Sequence, residues 1–315
     1  MKQELTCFGP LKSVMGILKS RLMNRTKPIM ALLTMIFIFC CSCTQKPKTT
    51  TPSYPDFKLA TTFAKLRLGT KEANLVAVEQ LIDETVAGCK NDDDGKGPDL
   101  ILLSESIFSR GNSSGQQFDE TDGMLMQAMA RKALEHNCYI AYNFYEDRTS
   151  DGKKYNTNKI INRKGEVVGS YDKTRATNDD LNIGCTAGAR DESNIKPIET
   201  EFGPIGMLIC YDVQDGLDDR QHDMMLLHAE RGARLVLVST IGDYCEETRD
   251  GGMAAGIWTA ISGQDCYRGN DLYKSNITDP DGNCVAGVAK EETGQRTYCS
   301  AVINLSRMFT IDNVP

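Results

Sequence analysis

"GPIGMLICYD", residues 203–212, opens with Gly203 and Pro204, runs through the apolar residues Ile205, Met207, Leu208 and Ile209, and then breaks at Cys210. An apolar run of that length, bounded by a proline, reads as a buried strand and is too short for a helix. Its end is unusual, because no turn residue closes it. Cys210 comes first, with Tyr211 and Asp212 directly after. A cysteine in an apolar run is by itself most simply a small core residue. The rest of the chain decides between that reading and a nucleophile held at a strand end.

Working outward, "FKLATTFAKLRLG" (57–69) alternates as a first strand, and "KEANLVAVEQLIDETVAGC" (71–89) places Leu75, Val78, Leu81, Ile82 and Val86 at helical spacing. "PDLILLSES" (98–106) is a buried strand ending at Glu105, "GMLMQAMARKALEHN" (123–137) a helix, and "CYIAYNFYE" (138–146) a strand ending at Glu146. "NKIINRKGEVVGSYDK" (158–173) is a hairpin turning at Lys164-Gly165 and ending at Lys173. Beyond Cys210, "DDRQHDMMLLHAERGA" (218–233) is a helix and "RLVLVST" (234–240) another buried strand. Strands alternating with helices predict a layered α/β fold, and the hairpins make its sheets mixed.

Four of these strands end in Glu105, Glu146, Lys173 and Cys210, at the place where α/β sheets gather their sites. A cysteine nucleophile needs a base for its proton and a donor for the developing oxyanion. A buried carboxylate can be that base, and an ammonium beside the thiol favours thiolate and binds the oxyanion. Two glutamates, one lysine and one cysteine fill these roles without histidine.

The order of "LILLSE" with Glu105, "FYEDR" with Glu146, "YNTNKIINRKGEVVGSYDKTR" with Lys173 and "GPIGMLICYD" with Cys210 resembles the nitrilase superfamily of carbon-nitrogen hydrolases. The similarity runs from "FKLATTFAKLRLGTKEANL" to "NITDPDGNCVAG". It implies a four-layer αββα sandwich over residues 58–315, usually assembled as a homodimer or higher homo-oligomer. It also implies Glu105 as general base, Lys173 as oxyanion stabiliser, Cys210 as nucleophile, the Tyr211 N–H as second oxyanion donor, and Glu146 as the group positioning substrate or Lys173. The expected substrate is a small-molecule amide, with no cofactor or metal. "CYD" is more similar to the amidase and carbamoylase branches than to the Cys-Trp-Glu of nitrilases. After it, "VQDGLDDRQ" replaces the family's Phe-Pro-Glu-like segment, so the substrate pocket is not inherited with the triad. Two alternatives remain: an N-acyltransferase using the same acyl-enzyme, and a catalytically silent ligand-binding protein on the same fold.

The N-terminus carries a separate message. Arg25 and Lys27 precede the uncharged stretch Ile29–Cys43, too short for a comfortable membrane span and suited to a signal-peptide apolar region. It is similar to a bacterial lipoprotein signal over residues 1–43, with Cys43 lipidated, Cys41 as the alternative, and Met23 a better start than Met1. Residues 44–57 form a polar tether. An uncleaved anchor is the competing reading, and both place the protein outside the cytoplasm at a membrane. Loss of residues 1–42, with six Lys/Arg and one acidic residue, takes the net charge from −7 to −12. An acidic chain without a basic stripe is not built for nucleic acid.

Eight of the twelve cysteines lie beyond the N-terminal segment with no C-x-x-C pair, and with three histidines in the chain a zinc site is not expected. Cys284 and Cys299 flank an apparent hairpin and form the expected disulfide. "GNSSG" (111–115) matches a serine-hydrolase elbow only as a pattern, since it sits in a polar loop. His222 and His228 are six apart, the wrong spacing for a helical zinc pair.

Overall fold

Alternation along one strand sets the layers. In β4 (Tyr139–Arg148), Tyr139 and Ala141 join one apolar cluster while Ile140, Tyr142 and Phe144 join another, so the strand is buried on both faces. The structure is a computed structural model describing residues 52–63, 69–92, 94–109, 118–214, 223–264, 272–292 and 297–307. The signal-like segment with Cys41 and Cys43, the tether as far as residue 51, the "GNSSG" loop and His222 lie outside those residues.

The first sheet contains β1 (Asp56–Thr62), β2 (Leu100–Leu102), β3 (Phe118–Glu120), β4, β5 (Lys153–Ile161), β6 (Val167–Asp172) and β13 (Tyr298–Asn304), in the order β13-β1-β2-β4-β5-β6 with β3 also on β4. The second contains β7 (Ile198–Thr200), β8 (Gly203–Ile209), β9 (Leu235–Ser239), β10 (Trp258–Ser262), β11 (Tyr273–Thr278) and β12 (Cys284–Ala289), in the order β12-β11-β10-β9-β8-β7. Both are mixed. Parallel β1-β2-β4 and β8-β9-β10 are flanked by antiparallel neighbours.

Helix α1 (Lys71–Asn91) is capped by the Thr70 hydroxyl, which accepts from the Ala73 N–H at 3.1 Å. It packs Val78, Leu81, Ile82 and Val86 with Leu125 and Met129 of α2 (Met124–His136) onto the outer face of the first sheet. The inner face, with Phe57, Leu59, Leu100 and Leu102, meets Ile205, Met207 and Ile209 of the second sheet. That sheet's outer face is covered by α4 (Asp223–Glu230) and α5 (Cys245–Ala255), and the short α3 (Asn178–Asn182) precedes β7. The expected αββα sandwich is present. Trp258 belongs to the same core, its indole N–H donating to the Asn304 carbonyl at 3.0 Å.

Two strand-level expectations need correction. β4 does not end at Glu146; pairing with β5 carries it on to Arg148 and leaves Glu146 inside the strand. Cys284 and Cys299 do not flank a hairpin either, because β12 and β13 belong to different sheets. No disulfide joins them: the Cys284 sulfur faces the Ala286 carbonyl, and that of Cys299 lies 3.1 Å from the Thr61 hydroxyl. Among the described residues, no helix is long and apolar enough to cross a membrane.

Candidate active site

Three chain reversals build the site. β2 stops at Leu102, and Glu105 follows in a turn whose next residue, Ser106, is left-handed at φ 54°. β8 stops at Ile209, and Cys210, also left-handed at φ 47°, opens a single 3-10 turn, Cys210–Val213. A non-glycine residue there is strained by about 1–3 kcal/mol and persists only where its surroundings fix it. Here Asp212 supplies the brace. Its buried carboxylate accepts from the Ile209 N–H (3.1 Å), the Arg175 N–H (2.8 Å), the Thr174 hydroxyl (3.0 Å) and the Tyr171 hydroxyl (2.9 Å). The nucleophile's turn is thereby tied to the segment carrying Lys173, which directly follows β6.

Lys173 Nζ lies 2.9 Å from Glu105 Oε1 and 2.9 Å from Asp180 Oδ2. Lys173, Glu105 and Asp180 are 3%, 1% and 2% exposed, so the trio is sealed from bulk water. The second Glu105 oxygen accepts from the Ile241 N–H at 3.2 Å. Glu105 and Thr240 are polar side chains that act on the Cys210 thiol. Burial and the Glu105 charge push it up to about 12 against the pull of Lys173, so the resting nucleophile is a thiol. Burial alone would discharge Lys173, but the Glu105 and Asp180 carboxylates hold it well above its ordinary value. Asp180 is buried too, yet Lys173 and the Thr177 and Asn156 N–H donors hold it below the usual carboxylate range. The arrangement is an ammonium fixed between two carboxylates beside a protonated thiol.

Glu105, Lys173 and Cys210 therefore meet as expected from the sequence, and Tyr211 follows the nucleophile. Its N–H stands in the first turn of the 3-10 helix, where no carbonyl from within the helix can reach it. Glu146 does not join them. It pairs with Tyr155 across β4 and β5, while the next pair, Tyr145 and Asn156, occupies the other face, and Asn156 is the one that reaches Glu105. The Glu146 carboxylate is held instead by Arg148 and by Lys159 at 2.9 Å, which keep it below the usual range despite its burial. The acid on Lys173 that sequence reading missed is Asp180. It is the N3 residue of a capping box with Thr177 at the start of α3, and a T-x-x-D signature reads as a helix start.

Asp83, Glu135 and His136 on α1 and α2 could group around a cation, but the Lys132 ammonium already sits there, 2.7 Å from Asp83 and 3.0 Å from Glu135.

Behind the nucleophile, His228 of α4 lies fully buried against β8, where a Cβ on Gly206 would strike its ring. Burial lowers its pKa to about 4. An unfolded histidine takes up its proton near pH 6.5, so between the two values the unfolded state binds more protons and stability rises with pH. Acidification from pH 7 to 4 is expected to cost roughly 3 kcal/mol through this group. Urea unfolding of wild type and His228→Gln at pH 7 and 4.5 checks this; equal losses in both would remove His228 as the cause.

The family model for carbon-nitrogen hydrolases matches residues 59–310, which takes in every strand and helix named above except the first three residues of β1. The chain belongs to the carbon-nitrogen hydrolase family. Among curated relatives it is 30% identical over 146 residues to a Pseudomonas protegens protein described as "Hydrolase in pqqF 5'region", covering 45% of this chain and 48% of that one. It is 29% identical over 127 residues to the deaminated glutathione amidase of Rattus norvegicus, covering 36% of each. The matched stretch thus spans about half of the first relative's length and less of the second's. Among solved structures, Saccharomyces cerevisiae Nit3, a member of branch 10 of the nitrilase superfamily, superposes with a TM-score of 0.65 at 17% identity over 81% of this chain and 92% of its own. An amidase from Nesterenkonia sp. gives 0.61 at 18% identity, over 80% and 91%. These likenesses are to the carbon-nitrogen hydrolase fold.

Proposed function

We propose that the protein hydrolyses the carbon-nitrogen bond of a small non-peptide amide through a thioester on Cys210. The observation that carries this is Lys173 held between two buried carboxylates, one of which, Glu105, also acts on the Cys210 thiol. Glu105 takes the thiol proton as sulfur attacks the carbonyl carbon, and Lys173 with the Tyr211 N–H holds the oxyanion. Collapse of the tetrahedral adduct breaks the C–N bond, and Glu105 passes its proton to the departing ammonia or amine. Glu105 then takes a proton from water as its oxygen attacks the thioester carbon; collapse breaks the C–S bond, Glu105 returns the proton to the Cys210 sulfur, and the carboxylic acid product leaves. Asp180 pairs with Lys173 from the other side at 2.9 Å and keeps its Nζ in place.

The "CYD" after β8 and the amidases among the relatives favour an amide over a nitrile. The Ile29–Cys43 run supports an extracytoplasmic protein tethered through lipid on Cys43, and the family resemblance supports a homo-oligomer. Purified protein assayed for ammonia release is expected to hydrolyse at least one member of a panel of aliphatic amides and carbamoyl amino acids at least ten times faster than the matching nitriles. Faster release from nitriles would reverse the substrate class, and release from none would overturn the hydrolase reading.

A further inference from the structure

Beneath the carboxylates lies a buried relay of three asparagines. Asn156 spends both amide hydrogens on acids, one on Glu105 Oε1 at 2.9 Å and one on Asp180 Oδ1 at 3.0 Å. Its own oxygen accepts from Asn143 Nδ2 at 2.8 Å. Asn143 Nδ2 also reaches Asn158 Oδ1 at 3.0 Å, while Asn143 Oδ1 accepts from the N–H of the left-handed Ser106 at 2.8 Å. Asn158 in turn crosses between the sheets to donate to the Leu208 carbonyl, two residues before the nucleophile, at 3.1 Å. All three are essentially inaccessible.

The relay has a single self-consistent direction. Ionised carboxylates only accept, so Asn156 must present its NH2 to them and its oxygen to Asn143. Asn143 must then present its oxygen to the Ser106 N–H. No amide in the chain can flip without setting like against like in a site closed to water.

We propose that Asn156 is a positioning residue, which holds Glu105 and Asp180 on Lys173 so that Glu105 faces the Cys210 thiol as a base. It touches neither thiol nor substrate, and acts by fixing the charged forms of both acids. Asn143 and Asn158 carry that setting to the Glu105 turn and to the Cys210 strand. The titratable groups facing the cluster are Lys173 at the end of β6, Asp180 of α3, Cys185 after it, Cys210 at the end of β8, Asp212 in the turn after it, Tyr145 of β4 and Tyr244 before α5. The inference rests on the reading of Cys210 as nucleophile and Glu105 as its base.

Its test does not depend on knowing the substrate. The rate of Cys210 alkylation by iodoacetamide, read by peptide mass spectrometry across pH 4–9, reports proton removal from the thiol as sulfur displaces iodide. In wild type the rate is expected to fall on the acid side. Asn156→Asp keeps the side-chain shape but removes both donors, which weakens the charged forms of the neighbouring carboxylates. Its acid limb is expected about one pH unit higher, with the pH 7 rate down about tenfold. Asn156→Ser, adding no charge, is expected to move the limb in the same direction and serves if the aspartate variant does not fold. A limb that stays in place in a folded variant would overturn the proposal, since a merely structural asparagine changes stability without moving it. A shifted limb in a protein that hydrolyses no amide would sink the substrate reading while leaving Asn156 its role. A wild-type rate with no acid limb would overturn both.

Discussion

Cys210→Ala is expected to lower ammonia release from the best amide by about 10⁴-fold or more, with the fold retained. Cys210 is the described thiol on which Glu105 and Lys173 both act. Other buried thiols are differently placed: Cys138 and Cys185 are pushed up to about 12 mainly by burial, and neither has Glu105 beside it. Alanine occupies the left-handed position at 210 with the same backbone strain as cysteine, and Asp212 still braces the turn. The expected stability change is therefore within about 1 kcal/mol. Ammonia assays with circular dichroism of the same samples separate lost chemistry from lost structure. Turnover within tenfold of wild type would remove Cys210 from the mechanism.

Lys173→Met should remove activity and a large part of the stability at once. The substitution leaves Glu105 and Asp180 facing each other at 1% and 2% exposure with no cation between them. Removing one member of a buried ionic cluster typically costs about 3–5 kcal/mol, because the remaining charge is uncompensated. The loss has a pH signature. In wild type, the Asp180 carboxyl lies below its ordinary value, so its contribution is present at neutral pH and fades as pH falls through the folded-state value. Without Lys173, burial and the facing Glu105 raise it above the unfolded value, and the variant gains stability as pH falls. Denaturation at pH 8 and 5 is expected to show the gap between wild type and variant closing toward acid. A constant gap would mean that Lys173 acts by packing and not by charge.

How much of this was legible in the sequence follows from what each residue interrupts. Glu105, Lys173 and Cys210 stand out because each breaks a strand pattern at a point where the backbone reverses. Glu146 looks similar because "CYIAYNFYE" loses its apolar character there. Strand pairing is a long-range property, however, and β5 holds β4 extended to Arg148, where period-two alternation points Glu146 to Lys159 and away from Asn156. Asp180 escaped notice because its local signature is complete without catalysis, as the reciprocal cap of Thr177. Cys284 and Cys299 misled for a topological reason. The chain between them passes from one sheet to the other, and sequence spacing carries no sign of that crossing. The asparagine relay is divided between β4 and β5, and its meaning emerges only when Glu105, Asp180 and Leu208 are seen around it.

The most direct test of the account is intact-mass spectrometry of wild-type protein acid-quenched during turnover of the best amide. The account predicts a species heavier by the acyl group, mapped to the Cys210 peptide and absent from Cys210→Ala. Turnover at full rate with no acyl mass on Cys210, including after hydroxylamine is used to trap it as the hydroxamate, would contradict the thioester pathway.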